Sequence, residues 1–204
     1  PKPFGPRLIA EVPPAVARAA MESGVARAPI ADWGRYREEL LQRSGDDKKV
    51  IRWLMSRAKS MPKKIVFAEA DQLDVLKAAQ IAHDEGIAHP ILLGNRKVIE
   101  ELKEELEFDA EIPIIDQFEE DSLEKREAYA RSYWELRQRK GSTLYNSRSK
   151  MRERNYFGAM MVREGDADGM ISGYSRSYSS VVKPIFEVIG RASEVSRAAT
   201  VHVM

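Results

Sequence analysis

The chain has 204 residues, of which 43% are hydrophobic and 32% charged; 33 basic side chains against 32 acidic ones leave a formal net charge of +1. This is the composition of an ordinary soluble globular protein with room for one sizeable core and an appendage, and it shows no bias toward disorder. Zero cysteines exclude disulfides, thiolate nucleophiles and Cys-zinc sites together, as a reducing compartment would allow. No apolar run approaches the roughly 18 residues of a membrane span, and the opening Pro1-Lys2-Pro3-Phe4-Gly5-Pro6 lacks the apolar core of a signal peptide, so a cytoplasmic protein without a membrane partner is expected. A start at proline rather than methionine adds the expectation of a longer parent polypeptide.

The first 62 residues carry helix signals and no strand signal. Pro13-Pro14 predicts a helix start running through Val16-Ala17-Arg18-Ala19-Ala20-Met21 to Gly24. Asp32 is placed to cap a helix from Trp33 to Arg43. After Ser44-Gly45 a further helix from about Asp46 to Ser60 puts Val50, Ile51, Leu54, Met55 and Ala58 on one face, and Met61-Pro62 stops it. Trp33 and Trp53 are read as packing residues. From Lys64 the pattern changes to alternating strands and helices. Ile65-Val66-Phe67 predicts a strand, Leu73 to Asp84 a helix closed by Gly86, Pro90-Ile91-Leu92-Leu93 a strand, and Asn95 the cap of a helix reaching about Leu106. Ile112 to Ile115 predicts a third strand and Ser122 to Lys140 a long helix ended by Gly141. Thr143 then caps a helix into Arg154 that continues apolar through Tyr156 to Val162, up to Gly165. Ala167 to Ser172 reads as a strand buried on both faces, followed by a helix from about Tyr178 to Ile189 with Pro184 expected to kink it. Ala198 to Met204 reads as the start of another strand. Such alternation implies an α/β fold of three layers, α/β/α, with a mainly parallel sheet and a helical linker before it.

Ligands of such sheets sit at the carboxyl ends of strands, where Ser172-Gly173-Tyr174-Ser175-Arg176-Ser177 falls. Hydroxyl and guanidinium donors there stand beside the N–H groups that open the next helix, a setting that attracts anions, so Ser172, Gly173, Ser175, Arg176, Ser177 and Lys183 are candidate contacts for a phosphate-bearing ligand. A Ser-rich turn that merely caps a helix explains the same residues. From Arg137 to Arg163 eight basic residues stand against the single acid Glu153, while residues 100–127 are strongly acidic. Arg137, Lys140 and Thr143 therefore form a second candidate cluster, for which a helix end followed by a capping Thr is a sufficient structural account. Glu69, just after the first strand, either faces a site or caps the next helix. The three histidines, His83, His89 and His202, lack metal spacing, and no G-x-G-x-x-G, P-loop or nucleic-acid motif is present, so neither a metal nor nucleic acid is expected here.

Several blocks together resemble the phosphate acetyltransferase family: Lys64-Ile65-Val66-Phe67-Ala68-Glu69-Ala70, Pro90-Ile91-Leu92-Leu93-Gly94, Lys140-Gly141-Ser142-Thr143, Tyr156-Phe157-Gly158-Ala159-Met160-Met161-Val162, and Gly165 through Gly173. Pro1-Lys2-Pro3-Phe4 and Pro13 through Gly24 are similar to the end of a bacterial malic enzyme catalytic part and its helical connection. In that order they resemble the hybrid malic enzymes, in which a phosphotransacetylase-like region follows the catalytic part. The resemblance implies three segments: 1–62 as the end of the catalytic part with its linker, 63–196 as the α/β/α lobe, and 197–204 as the start of a second lobe. It further implies a homo-oligomeric parent that decarboxylates malate oxidatively with NADP and a divalent metal (Mg or Mn), and a region that binds acetyl-CoA or a related anion as a regulator. A working phosphate acetyltransferase and a structural dimerisation domain are the alternatives. Where the family usually has a His/Ser-Thr element and Arg-Pro, this chain has Arg176-Ser177-Tyr178-Ser179-Ser180 and Lys183-Pro184. Lysine keeps the charge but loses the planar bidentate fork, so a looser phosphate site is expected. The family's acyl-transfer Ser-Arg pair and acid belong to its later half, so no complete catalytic set, and no cofactor of its own, is expected in these residues.

Overall fold

The computed structural model describes residues 8–43, 49–192 and 194–195. The chain divides into two units, one ending at Arg57 and the other beginning at Ala58. In the first, α1 (Leu8–Glu22) packs on α2 (Trp33–Arg43). Arg18 stacks 4.9 Å from the centre of the Trp33 ring, and Arg37 pairs with Glu11 at 2.7 Å. Asp32 caps α2 as its position predicts, its Oδ1 accepting from Arg35 N at 3.0 Å. α1 begins five residues before the predicted start, with Pro13 and Pro14 inside it. Proline has the helical φ but no N–H, so those turns lack two of their backbone hydrogen bonds. α3 (Lys49–Ser60) crosses the boundary between the units. Trp53, expected to pack, is 59% exposed, with the Arg57 guanidinium 5.7 Å from its ring centre. The predicted strand at Ala198 to Met204, His202, and the 197–204 segment lie outside the described residues.

The second unit is built on β1 (Lys63–Phe67), β2 (Ala88–Leu93), β3 (Ile114–Ile115) and β4 (Gly169–Ile171), all parallel, in the order β3-β2-β1-β4. Successive residues point to opposite faces of a strand, and both faces of this sheet are covered. Phe67 and Leu92 meet Leu76, Ala79 and Ile99 of α4 (Leu73–Asp84) and α5 (Arg96–Glu105). Val66, Ile91 and Leu93 meet Tyr129 and Tyr133 of α6 (Leu123–Arg137), residues of α8 (Arg154–Glu164), and Val188 of α9 (Tyr178–Val188). The three-layer α/β/α reading therefore holds. α8 lies innermost, buried without interruption from Asn155 to Met161. Gly158 permits that approach, because a Cβ there would lie 2.6 Å from Met170 Sδ.

Three predicted elements differ in extent. Only Ile114 and Ile115 join the ladder of the third strand; Pro113 has no N–H to give, although its carbonyl accepts from Leu92 N at 2.9 Å. The helix predicted from Thr143 to Gly165 is two, α7 (Leu144–Lys150) and α8, because Met151 drops fully buried into the core and the chain turns over the next two residues. The fourth strand has three residues rather than six and is an edge strand among the described residues, with Ile171 55% exposed rather than buried on both faces. Among the described residues no helix is long and apolar enough to cross a membrane.

Candidate functional site

In the strand order β3-β2-β1-β4 the chain moves outward from β1 through β2 to β3 and then returns to the other side of β1, so β1 and β4 flank the topological switch. Beyond β1 the chain turns to α4 on one face; beyond β4 it turns to α9 on the other. The crevice between these two exits holds the candidate site.

Glu69, 1% exposed, occupies it. Its Oε1 accepts from the N–H groups of Gly173 (2.7 Å) and Tyr174 (3.0 Å), and its Oε2 from Ser175 N (2.8 Å) and the Ser175 hydroxyl. Burial alone would raise the carboxyl pKa, but the Ser175 hydroxyl and the three amides overcome it and hold the group down at about 2. The backbone donors that sequence reading offered to an external phosphate are thus taken by a carboxylate of the chain itself. Gly173, at φ +108°, gives the loop the conformation that aims successive N–H groups at one point. Of the two roles left open for Glu69, it faces the loop; α4 begins after Gln72 without a side-chain cap.

Around this centre the polar groups are paired. Arg154, first residue of α8, makes a two-pronged contact with Asp71 at 2.7 Å for each nitrogen. Burial would raise the Asp71 pKa, but the Arg154 hydrogen bond and charge lower it, and the same hydrogen bond raises that of Arg154. Asn155 accepts from the Ser172 hydroxyl at 2.7 Å, and its Nδ2 donates to the Ser180 carbonyl at 3.2 Å. That carbonyl would receive the N–H of residue 184 in a regular helix; Pro184 lies inside α9 and has none.

The remaining sequence candidates divide between two places. Arg176 is exposed and borders a cavity of about 270 Å³ together with Gln117 and Phe118 beyond β3, residues 152–155, and Ser180. Ser177 is the residue before α9, its hydroxyl engaged with those of Ser179 and Ser180. Lys183 is exposed one turn before Glu187. Glu187 accepts from Tyr156 (2.6 Å) and Tyr133 (2.9 Å) and pairs with Arg137 at 3.5 Å, and the charge of Lys183 also favours its ionised form. Arg137 of the second cluster therefore meets α9 through Glu187. Lys140 is exposed in the turn that follows α6, and Thr143 caps α7 by accepting from Asn146 N at 3.1 Å. Sequence reading did not single out Gln117, Arg152, Arg154 or Asn155 for the site. The start of α8 would have indicated the last two, had the break at Met151 been visible. A larger groove of about 390 Å³ lies between α6 and α7, but Arg148 there is bound by Glu127 at 2.8 and 2.6 Å, and Arg126 donates to the Gln117 carbonyl. Among the described residues no group of three or more His, Cys, Asp or Glu is placed to hold a metal ion.

The family model described as phosphate acetyl/butaryl transferase matches residues 49–204. The chain belongs to that family. It is 36% identical to an NADP-dependent malic enzyme of Rhizobium meliloti in an alignment covering all of this chain and 28% of that protein. A phosphate acetyltransferase of Thermoanaerobacterium thermosaccharolyticum is also 36% identical, over 76% of this chain and 46% of its own length. Among solved structures, a phosphotransacetylase from Streptococcus pyogenes superposes with a TM-score of 0.66 at 32% identity, covering 74% of this chain and 45% of that one. The chain thus spans about a quarter of the malic enzyme's length and just under half of the transferases'. Within this transferase family fold, Glu69 and the Gly173 loop sit at the switch between β1 and β4, and residues 176–180 and Lys183 follow immediately after it.

Proposed function

We propose that the chain is the phosphotransacetylase-like region of a malic enzyme, and that it responds to acetyl-CoA and regulates oxidative decarboxylation of malate by a cytoplasmic, homo-oligomeric parent using NADP and a divalent metal. The observation that carries this reading is the extent of the likeness. The match to the malic enzyme covers the whole chain, including residues 1–48, which the transferase family model leaves unmatched. Of the sequence candidates, Arg176, Lys183 and Lys140 have exposed cationic side chains for the anionic ligand, whereas Ser172, Gly173, Ser175, Arg137 and Thr143 are engaged within the chain. Because Glu69 takes the backbone donors of Gly173–Ser175, side-chain cations carry the attraction.

Acetyl transfer by this region is not part of the proposal. In-line attack of a thiol on acetyl phosphate needs close positioning, and misplacement by about 1 Å can cost about a hundredfold in rate. Lys183 in place of the family's arginine loosens that positioning, whereas regulation requires only a differential affinity between two states, about 1 to 3 kcal/mol. The test runs a thiol-release assay for acetyl transfer on the full-length protein beside malate turnover with and without acetyl-CoA. The expected result is negligible acetyl transfer and acetyl-CoA-sensitive turnover. Robust acetyl transfer would establish the working transferase instead, and turnover indifferent to acetyl-CoA would leave the dimerisation reading.

A further inference from the structure

The groove between α6 and α7 lies apart from the crevice between β1 and β4, and its lining is both apolar and cationic. Leu123 at the start of α6 is 54% exposed and Tyr145 in the first turn of α7 is 80% exposed, so two large side chains border an open cavity of about 390 Å³. Exposed apolar side chains that stand singly need no explanation, but a groove that gathers them suits contact with another chain. Around them Arg126, Arg148 and Arg152 stand against one carboxylate, Glu127. That carboxylate is already shared between Arg148 at 2.6 Å and Arg131 at 3.5 Å, so the groove keeps a net positive charge. The outer face of α5 has the opposite character. Glu100, Glu101, Glu104 and Glu105 are all exposed, and they fall into two pairs one turn apart, where like charges weaken a helix. Glu101, Glu104 and Glu105 have no ion pair among the described residues. Val98, 37% exposed, precedes Glu101 by three positions and Glu105 by seven, so an apolar side chain and two carboxylates share one stripe of the helix. α5 covers one face of the sheet and α6 the other, so a chain cannot lay its own α5 in its own groove.

We propose that the α6–α7 groove is an interaction surface for α5 of a second copy of this chain, with Val98 against Leu123 and Tyr145, and Glu101 and Glu105 against Arg148 and Arg152. Charge complementarity selects this occupant. Two grooves facing each other would set arginines against arginines, and two α5 helices would set glutamates against glutamates, whereas α5 in the groove relieves both. The contact joins two different patches and is therefore heterologous. One helix laid in such a groove falls short of the roughly 800 Å² per partner of a standard interface, so the contact is salt-sensitive and acts beside other contacts within an oligomer. It supplies one contact of the homo-oligomer proposed above and rests on that part of the reading, while using none of the cations offered to acetyl-CoA.

The test is crosslinking between copies of the full-length protein. Val98→Cys and Tyr145→Cys both change exposed positions; the two variants are co-expressed, purified and treated with a short thiol-to-thiol crosslinker, beside each variant expressed alone. The mixture is expected to give about tenfold more inter-subunit product than either variant alone, because α5 meets the groove and neither patch meets its own kind. The yield should fall severalfold in about 1 M NaCl relative to about 0.05 M. Adding Arg152→Glu to the groove variant should lower it in the same way, and adding Glu105→Lys to the α5 variant should then restore it. Equal yields from the mixture and the single variants, or a yield indifferent to salt and to the charge exchange, would overturn the proposal. Self-crosslinking of the Tyr145→Cys protein alone would place the groove against its own copy and refute α5 as its occupant. An oligomer in sedimentation equilibrium that forms no mixed product refutes this contact alone, whereas a protein that sediments as a monomer refutes the homo-oligomer reading with it.

Discussion

Replacing Glu69 by glutamine tests whether the loop after β4 is held by an internal anion. The carboxyl pKa falls from an ordinary 4.5 to about 2 in the folded chain, which at about 1.4 kcal/mol per pH unit is roughly 3 kcal/mol of stability. Because the folded value is the lower one, that contribution is complete above about pH 5 and is lost as pH falls through 4.5 toward 2. By pH 3 it should have declined to about 1.4 kcal/mol. A glutamine offers one carbonyl oxygen where two oxygens now receive three N–H groups and a hydroxyl, and its NH₂ faces donors. Glu69→Gln should therefore lose about 3 kcal/mol at pH 7, a fall in Tm of about 6 to 12 °C for a unit of this size. Urea unfolding followed by circular dichroism, for both proteins at pH 7 and pH 3, measures it. A difference below about 1 kcal/mol at pH 7, or one that does not shrink at pH 3, would refute the linkage argument.

Other substitutions probe other contacts. Gly158→Ala should cost about 1 to 3 kcal/mol by overpacking, since the new Cβ meets Met170 Sδ at 2.6 Å and Leu93 Cδ2 at 3.3 Å; chemical denaturation reads it directly. Arg154→Ala should cost about 1 to 3 kcal/mol by leaving the partly buried Asp71 carboxylate unpaired, and adding Asp71→Asn should recover part of that loss in a double-mutant cycle. Asn155→Ala should cost about 1 to 2 kcal/mol alone but less in a Pro184→Ala background, where residue 184 regains an N–H for the Ser180 carbonyl. Lys183→Ala should weaken acetyl-CoA binding, measured by calorimetry, by roughly 1 to 3 kcal/mol; unchanged affinity removes Lys183 from the ligand.

Features set by neighbouring residues were legible in the chain. Asn95, Thr143 and Asp32 cap the helices that follow them, because a cap needs only an acceptor and an N–H three residues on. The apolar runs around Val66 and Leu92 announced a sheet covered on both faces, and the family blocks around Glu69 and Gly173 indicated the same fold. Where several residues compete, local reading failed. Met151 and its flanks are as compatible with a continuous helix as with the break observed, and only burial of Met151 favours the break.

The sequence by itself determined the alternation of strands and helices, the helix caps, and the loop after β4 as the place to look, since each depends on periodicity or on groups a few residues apart. Tertiary structure alone decided what fills that loop. Glu69 and Gly173 are 104 positions apart, and Asp71 and Arg154 are 83 apart. Neither pair has a local signature, and each forms because parallel strands at the switch bring distant loops to one edge. The same closure turned the expected phosphate donors inward to a carboxylate, since which partner a donor finds depends on what the fold places within about 3 Å of it.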